Sequence, residues 1–184
     1  MDTRERLVES TRDLLWERGY SATSPKLIQE RAGAGQGSMY HHFSGKAALA
    51  AAAIAKTVAE QQASAERDMA APGTSYEKIA GWLLRERMIQ RGCRVGRLVQ
   101  ESEVVATDEL REPLGAVLAG TRARLTELVR AGVEAGDVRD VAPPEVIAAT
   151  LLAVLQGGYV TARAAGDDEP FTAATEGLLA LLKP

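Results

Sequence analysis

The chain is predicted to be all-α, with about nine helices and no sheet. Every long segment carries apolar residues at helical spacing, strand-like alternation is absent, and alanine and leucine abound while aromatic residues make up only 4%. At 184 residues it suits one compact domain, or a small module beside a larger one.

The first helix starts at Asp2 or Thr3 and stops before Gly19, with Leu7, Val8, Thr11, Leu14 and Leu15 on one stripe. Trp16 lies off that stripe and is expected either to pack on the following domain or to sit half exposed. Ser24-Pro25 is an N-cap followed by proline at the first helical position, so a second helix begins there and ends at Ala32-Gly33. A third occupies Gln36 to Phe43, and Ser44-Gly45 opens a long helix to about Met69. Pro72-Gly73 breaks it. Thr74 and Glu77 form a capping box for a helix through Ile89, and a short helix covers Arg97 to Val105 between Gly96 and the next long segment. That segment runs to about Ala135, with Pro113 in its first turn or at a kink. The last two helices span Pro144 to Ala164 and Pro170 to Leu182, separated by Gly166-Asp167-Asp168.

Composition narrows the classes of function. Cys93 is the sole cysteine, which excludes an intramolecular disulfide and suits a reducing cytoplasm; beside glycine at a turn, it reads as a buried structural thiol. The N-terminus lacks the apolar stretch of a secretion signal, and the longest apolar run, Val146 to Leu155, reads as too short to cross a bilayer. No Ser/His/Asp set, phosphate loop or metal-ligand spacing is present, so neither an enzyme nor a cofactor or metal protein is expected. His41 and His42 are adjacent on a helix and diverge by about 100°, which prevents them from sharing one ion.

Charge is unevenly placed. The net charge is -3, yet residues 1–46 hold seven Lys/Arg against six Asp/Glu, and Ala22 to Lys46 hold three against one. A small basic segment on an acidic body fits a protein that meets nucleic acid through one limited surface.

The second and third helices are joined by Gly33, Ala34 and Gly35, the signature of a helix-turn-helix. In the third, Met39 and Phe43 point one way, toward Leu27 and Ile28. Gly37, Ser38 and His41 lie opposite, and Tyr40 and His42 fall on the flanks. A helix entering the major groove needs this layout, with small or polar groups toward base edges and hydrogen-bonding groups toward the phosphate walls. Gln36 projects toward the groove floor, and Gly37 lets the backbone approach closely. Lys46 opens the next helix, where its cation and the terminal amides can hold a phosphate. Thr23, Ser24 and Lys26 are placed to do the same on the other strand.

The segment from Gly19 to Leu49 resembles the DNA-binding signature of the TetR family of bacterial repressors, through Gly19-Tyr20, Ala22-Thr23-Ser24, Ile28, Ala32-Gly33, Gly37-Ser38, Tyr40, His42-Phe43 and Lys46. The likeness implies base contacts from Gln36, Gly37, Ser38 and His41, and phosphate contacts from Thr23 or Ser24, Tyr40, His42 and Lys46. One departure is Gly35, where the family usually has a capping serine; glycine still caps, losing only a few tenths of a kcal/mol.

The rest of the chain exceeds what DNA reading requires. The helix from Pro144 is apolar nearly all round, with Val146, Ile147, Leu151, Leu152, Val154, Leu155, Tyr159 and Val160 on several faces. Such a helix is buried on all sides, one of them against a second subunit. Val154 and Leu155, with Phe171, Leu178 and Leu182 of the last helix, are the expected homodimer contacts. The division is therefore a helix-turn-helix domain over 1–46 and a helical ligand-binding and dimerisation domain over 47–184. The family resemblance implies a small-molecule effector cavity in the latter, for which Trp82, Met88, Leu98, Leu118, Leu152, Gln156 and Tyr159 are the candidate lining. Gly92 to Glu101 and Leu151 to Ala164 further resemble the branch of LmrA-like and YxaF-like regulators, which implies a lipophilic or aromatic effector. The expected partners are double-stranded operator DNA, that effector and a second copy, with no membrane. The alternative is a helical ligand-binding dimer that does not bind DNA.

Overall fold

The computed structural model describes residues 1–184. It contains ten α-helices: α1 (Thr3–Arg18), α2 (Pro25–Ala32), α3 (Gln36–His42), α4 (Lys46–Ala70), α5 (Ser75–Leu84), α6 (Arg94–Leu98), α7 (Ser102–Val105), α8 (Asp108–Ala135), α9 (Pro144–Ala165) and α10 (Glu169–Leu182). A single 3₁₀ turn, Ile89–Arg91, follows α5.

The helix boundaries follow local chemistry. Asp2 caps α1 by accepting from the Glu5 amide at 2.7 Å, and Ser24 caps α2 through the Leu27 amide. Gly33 ends α2 in the left-handed region at φ 60°, a conformation glycine adopts without steric penalty. The capping box of α5 forms as expected, Thr74 accepting from the Glu77 amide and the Glu77 carboxylate from the Thr74 amide. Gly35 caps α3 with no side-chain hydrogen bond.

Three elements differ from the expectation. Helix α5 stops at Leu84 and not near Ile89, because Arg85 is extended and Arg87 folds back to donate to the carbonyls of Trp82, Leu83 and Arg85. A cation at the carbonyl end satisfies groups that another turn would have used. The segment expected as one helix over Arg97 to Val105 is two, interrupted where Glu101 takes up extended backbone. Pro113 sits in the second turn of α8 and not the first.

The chain forms two compact units. The first comprises Met1–Glu60 and Arg94–Ala116, the second Gln61–Cys93 and Val117–Pro184. The unit holding α2 and α3 thus extends past residue 46 and recruits a segment from the middle of the sequence.

In the first unit α1 is the central strut, packed against α2, α3 and α6. Leu7, Val8, Leu14 and Leu15 are buried as the stripe requires, and so are Ile28, Met39 and Phe43, whereas Leu27 is half-buried. Trp16 is buried too, with the Arg94 guanidinium 3.9 Å over its ring. Arg12 ties α1 to α4 through Thr57 and the carboxylate of Glu60, and also pairs with Glu9. Burial raises the Glu9 pKa, but hydrogen bonds from Lys56 and Arg12 outweigh it, so the group ionises below the usual carboxylate range. A depressed carboxylate stabilises the fold above its unfolded pKa and loses that contribution as pH falls through the folded value. The melting temperature should therefore drop as pH falls below about 4.3, and Glu9→Gln should shrink that drop relative to neutral pH. An identical acid profile in the variant would rule Glu9 out as a contributor.

The second unit has one apolar core. Trp82, Leu83, Leu125, Val129, Ile147, Leu151, Leu155, Tyr159, Phe171 and Leu179 are all buried in it, with α10 packed against α9 and α5. Tyr159 and Phe171 meet with ring centroids 4.9 Å apart. Gly158 lies under the Phe171 ring, which a Cβ there would meet at 3.0 Å.

Candidate nucleic-acid interface

Helix α3 presents its polar side outward. Gln36, Gly37, Tyr40, His41 and His42 are exposed and Ser38 is half-buried, while Met39 is fully buried beneath them. The imidazoles of His41 and His42 stand edge to face at 5.0 Å. Tyr40 leaves 49% of its surface in solvent. That exposure leaves its hydroxyl accessible as a donor.

The flanking cations are held differently. Lys26 is exposed on α2, its ammonium 3.9 Å from Glu30. Lys46 opens α4 with its ammonium 4.0 Å over the ring of Tyr20. Ser24 is exposed, and its hydroxyl caps α2 while keeping a proton to donate outward. Thr23 does not join this surface. Its side chain is 1% exposed, and its hydroxyl donates to the Gly19 carbonyl at 2.6 Å. The buried threonine therefore supports the turn, and Ser24 is left as the exposed hydroxyl.

One residue that positions this surface carried no signal in the sequence. The Glu101 carboxylate accepts from the backbone amides of Tyr20 at 2.8 Å and Ser21 at 3.0 Å. These amides precede α2, so a residue 80 positions away fixes how the chain enters the helix-turn-helix. Arg97 of the same segment donates to the Trp16 carbonyl near the end of α1.

The candidate effector residues do not converge. Trp82 and Tyr159 lie in the core of the second unit, Met88 is 60% exposed, and Leu98 belongs to the first unit. Leu118, Leu152 and Gln156 do come together, lining an open groove of about 240 Å³ between α8 and α9 with Arg122, Ala149 and Ala153. Arg87 leans over the Trp82 ring; burial lowers its pKa to about 10 and pushes the Tyr159 phenol up to about 12.

The expected dimer contacts divide as well. Leu155, Phe171 and Leu182 are buried within their own chain, while Val154 and Leu178 are half-buried. On α9 and α10 the apolar residues left in solvent include Val146, Val160 and Leu181, with Ala153, Gly157, Ala173, Gly177 and Ala180. Helix α9 is also longer than its uninterrupted apolar run suggested. At 22 residues, with an 18-residue stretch of mean hydropathy 1.4, it is long and apolar enough to cross a membrane, and 39% of that stretch is buried.

Residues 7–53 match the family of bacterial regulatory proteins of the tetR type, and residues 74–178 match the tetracyclin repressor-like C-terminal domain. The chain belongs to the TetR family. It is 26% identical to the HTH-type transcriptional repressor DhaR of a Mycobacterium species over 174 residues, 91% of this chain and 85% of that protein. An HTH-type transcriptional regulator from the lacX 3' region of Lactococcus lactis is 26% identical over 134 residues, 68% of this chain and 67% of that one. A TetR-family regulator from Agrobacterium tumefaciens superposes with a TM-score of 0.90 at 19% identity, covering 99% of this chain and 98% of its own. The protein is thus a TetR-family transcriptional regulator with a helix-turn-helix DNA-binding domain. These matches do not reach the LmrA-like and YxaF-like branch.

Proposed function

We propose that this TetR-family regulator is a homodimeric cytoplasmic repressor that reads a palindromic operator and releases it on binding a small lipophilic or aromatic effector. Residues 1–46 serve as the reading head and 47–184 as the effector and dimerisation part. The observation that carries the reading is the outward face of α3, where Gln36, Gly37, Ser38 and His41 meet base edges while Ser24, Lys26, Tyr40, His42 and Lys46 hold phosphates. The name of the mycobacterial relative, a transcriptional repressor, supports the sign of regulation. Helix α9 supports the dimer. Its buried residues Ile147, Leu151, Leu155, Gly158 and Ala162 share one side, and Val146, Thr150, Ala153, Gly157 and Val160 recur on the opposite one. A two-fold dimer carries two reading helices, which makes a palindromic site the matching target. The effector acts by favouring the conformation whose two heads no longer fit the half-sites.

Gel-shift with the intergenic DNA upstream of the protein's own gene tests this. Salt-sensitive binding is expected, relieved by one of a panel of lipophilic and aromatic compounds that also raises the melting temperature. Lys46→Ala should weaken binding to all sequences alike, whereas Gln36→Ala should change sequence preference. Failure to bind any neighbouring intergenic duplex would sink the repressor reading. A change of preference from Lys46→Ala alone would overturn the assignment of contacts.

A further inference from the structure

Most cations of the first unit are neutralised by a carboxylate. Arg12 pairs with Glu9 and Glu60, Lys26 with Glu30, Arg31 with Glu17 at 2.8 Å, Lys56 with Glu9, and Arg94 with Asp13. Arg6 donates from Nε to the Ala32 carbonyl and from one terminal nitrogen to the Thr3 hydroxyl. Two cations are held on aromatic rings with no carboxylate against them: Lys46 on Tyr20, and Arg4 with its guanidinium carbon 5.3 Å over Phe43. An aromatic face attracts a cation by its quadrupole and orients it without cancelling its charge. A carboxylate would orient it and cancel it.

Phe43 directly follows α3, so the exposed Arg4 side chain rests beside the last turn of the reading helix. Lys46 lies just beyond that end, at the start of α4. Resting on the DNA-binding reading above, we propose that Arg4 is a further phosphate-contacting residue, an uncompensated guanidinium held over Phe43 to meet the strand that borders the groove. Arg4 lies outside residues 7–53, so the family match does not assign it. It widens the phosphate-binding surface from α2, α3 and α4 to the first turn of α1.

The test measures the affinity of the full-length protein for the upstream duplex, and for a scrambled duplex of equal length, across about 50 to 200 mM KCl. One phosphate contact contributes a slope of about -0.9 in log K against log salt, and a dimer carries Arg4 twice, so wild type should lose about twelvefold more affinity over that range than Arg4→Ala. The difference should appear on both duplexes, and Arg4→Lys should restore the wild-type slope. Arg18→Ala removes an exposed cation at the far end of α1 and should leave the slope unchanged. Arg4→Ala should also melt with wild type, since its side chain is in solvent, and Arg4→Gln serves as a second neutral variant. An unchanged slope in both neutral variants, or an equal drop in Arg18→Ala, would overturn the assignment of Arg4 while leaving the DNA-binding reading intact. Wild-type protein that binds neither duplex would overturn both.

Discussion

Gly19→Ala is expected to destabilise the first unit by about 3 kcal/mol or more and to weaken DNA binding to every sequence. Two independent costs combine. Gly19 sits at φ 83° and ψ 176°, a backbone region open essentially to glycine alone, and forcing another residue there costs about 1–3 kcal/mol. A Cβ built at this position also falls 2.5 Å from Glu101 Oε1 and 2.8 Å from its Cδ. The carboxylate must then leave the Tyr20 and Ser21 amides, and hydrogen bonds to a charged group contribute about 1.5–3 kcal/mol net. Glu101→Ala removes the carboxylate without straining the backbone, so it should cost less than Gly19→Ala. The double variant should fall short of the sum of the two, because the alanine methyl no longer has a carboxylate to displace. Chemical denaturation of the three variants gives the coupling, and gel-shift gives the consequence for the operator. Strict additivity would mean that the clamp is independent of the glycine.

Gly157→Arg should convert the protein to monomers while leaving each protomer at least as stable. Within the chain a Cβ at Gly157 meets nothing within 4 Å, and replacing glycine inside a helix gains about 0.5–1 kcal/mol of helix propensity. Val146, Ala153 and Val160 share the exposed face with it, a surface that small residues allow a second helix to approach closely. A long cation in the middle of that surface blocks the approach. Loss of the second reading head should lower operator affinity by about 10²- to 10⁴-fold, the gain that linking two sites ordinarily provides. Sedimentation analysis with the melting temperature separates the outcomes. A variant that stays dimeric would place the subunit contact elsewhere on the molecule.

The two predictions differ in how far they could have been reached from sequence. The helix-turn-helix was legible because its determinants are local. Ser24-Pro25 opens α2, Gly33 closes it, and Met39 within the seven-residue α3 and Phe43 just after it turn inward, so the helix's other residues face out. The inward turn of Thr23 was not legible, because a hydroxyl before a capped helix serves equally well as a phosphate donor or as a turn-former. Its bond to the Gly19 carbonyl decides between them.

The second unit resisted for a related reason. Helix α9 is apolar on nearly every side, so its periodicity could not say which side meets its own core. Leu155, Phe171 and Leu182 were as plausible at a subunit contact as Val146, Val160 and Leu181. Packing of α10 and α5 chose the former for the core and left the latter in solvent.

By itself the sequence determined an all-helical chain, the caps of α1, α2 and α5, and the outward polar face of α3, because each depends on residues within a few positions of one another. Only the tertiary structure decided that Glu101 fastens the entry to the helix-turn-helix, that Arg4 rests beside the reading helix, and which face of α9 is left open. Those depend on contacts between distant segments, where a carboxylate, a guanidinium or a leucine has the same local sequence signal whether or not the fold brings it a partner.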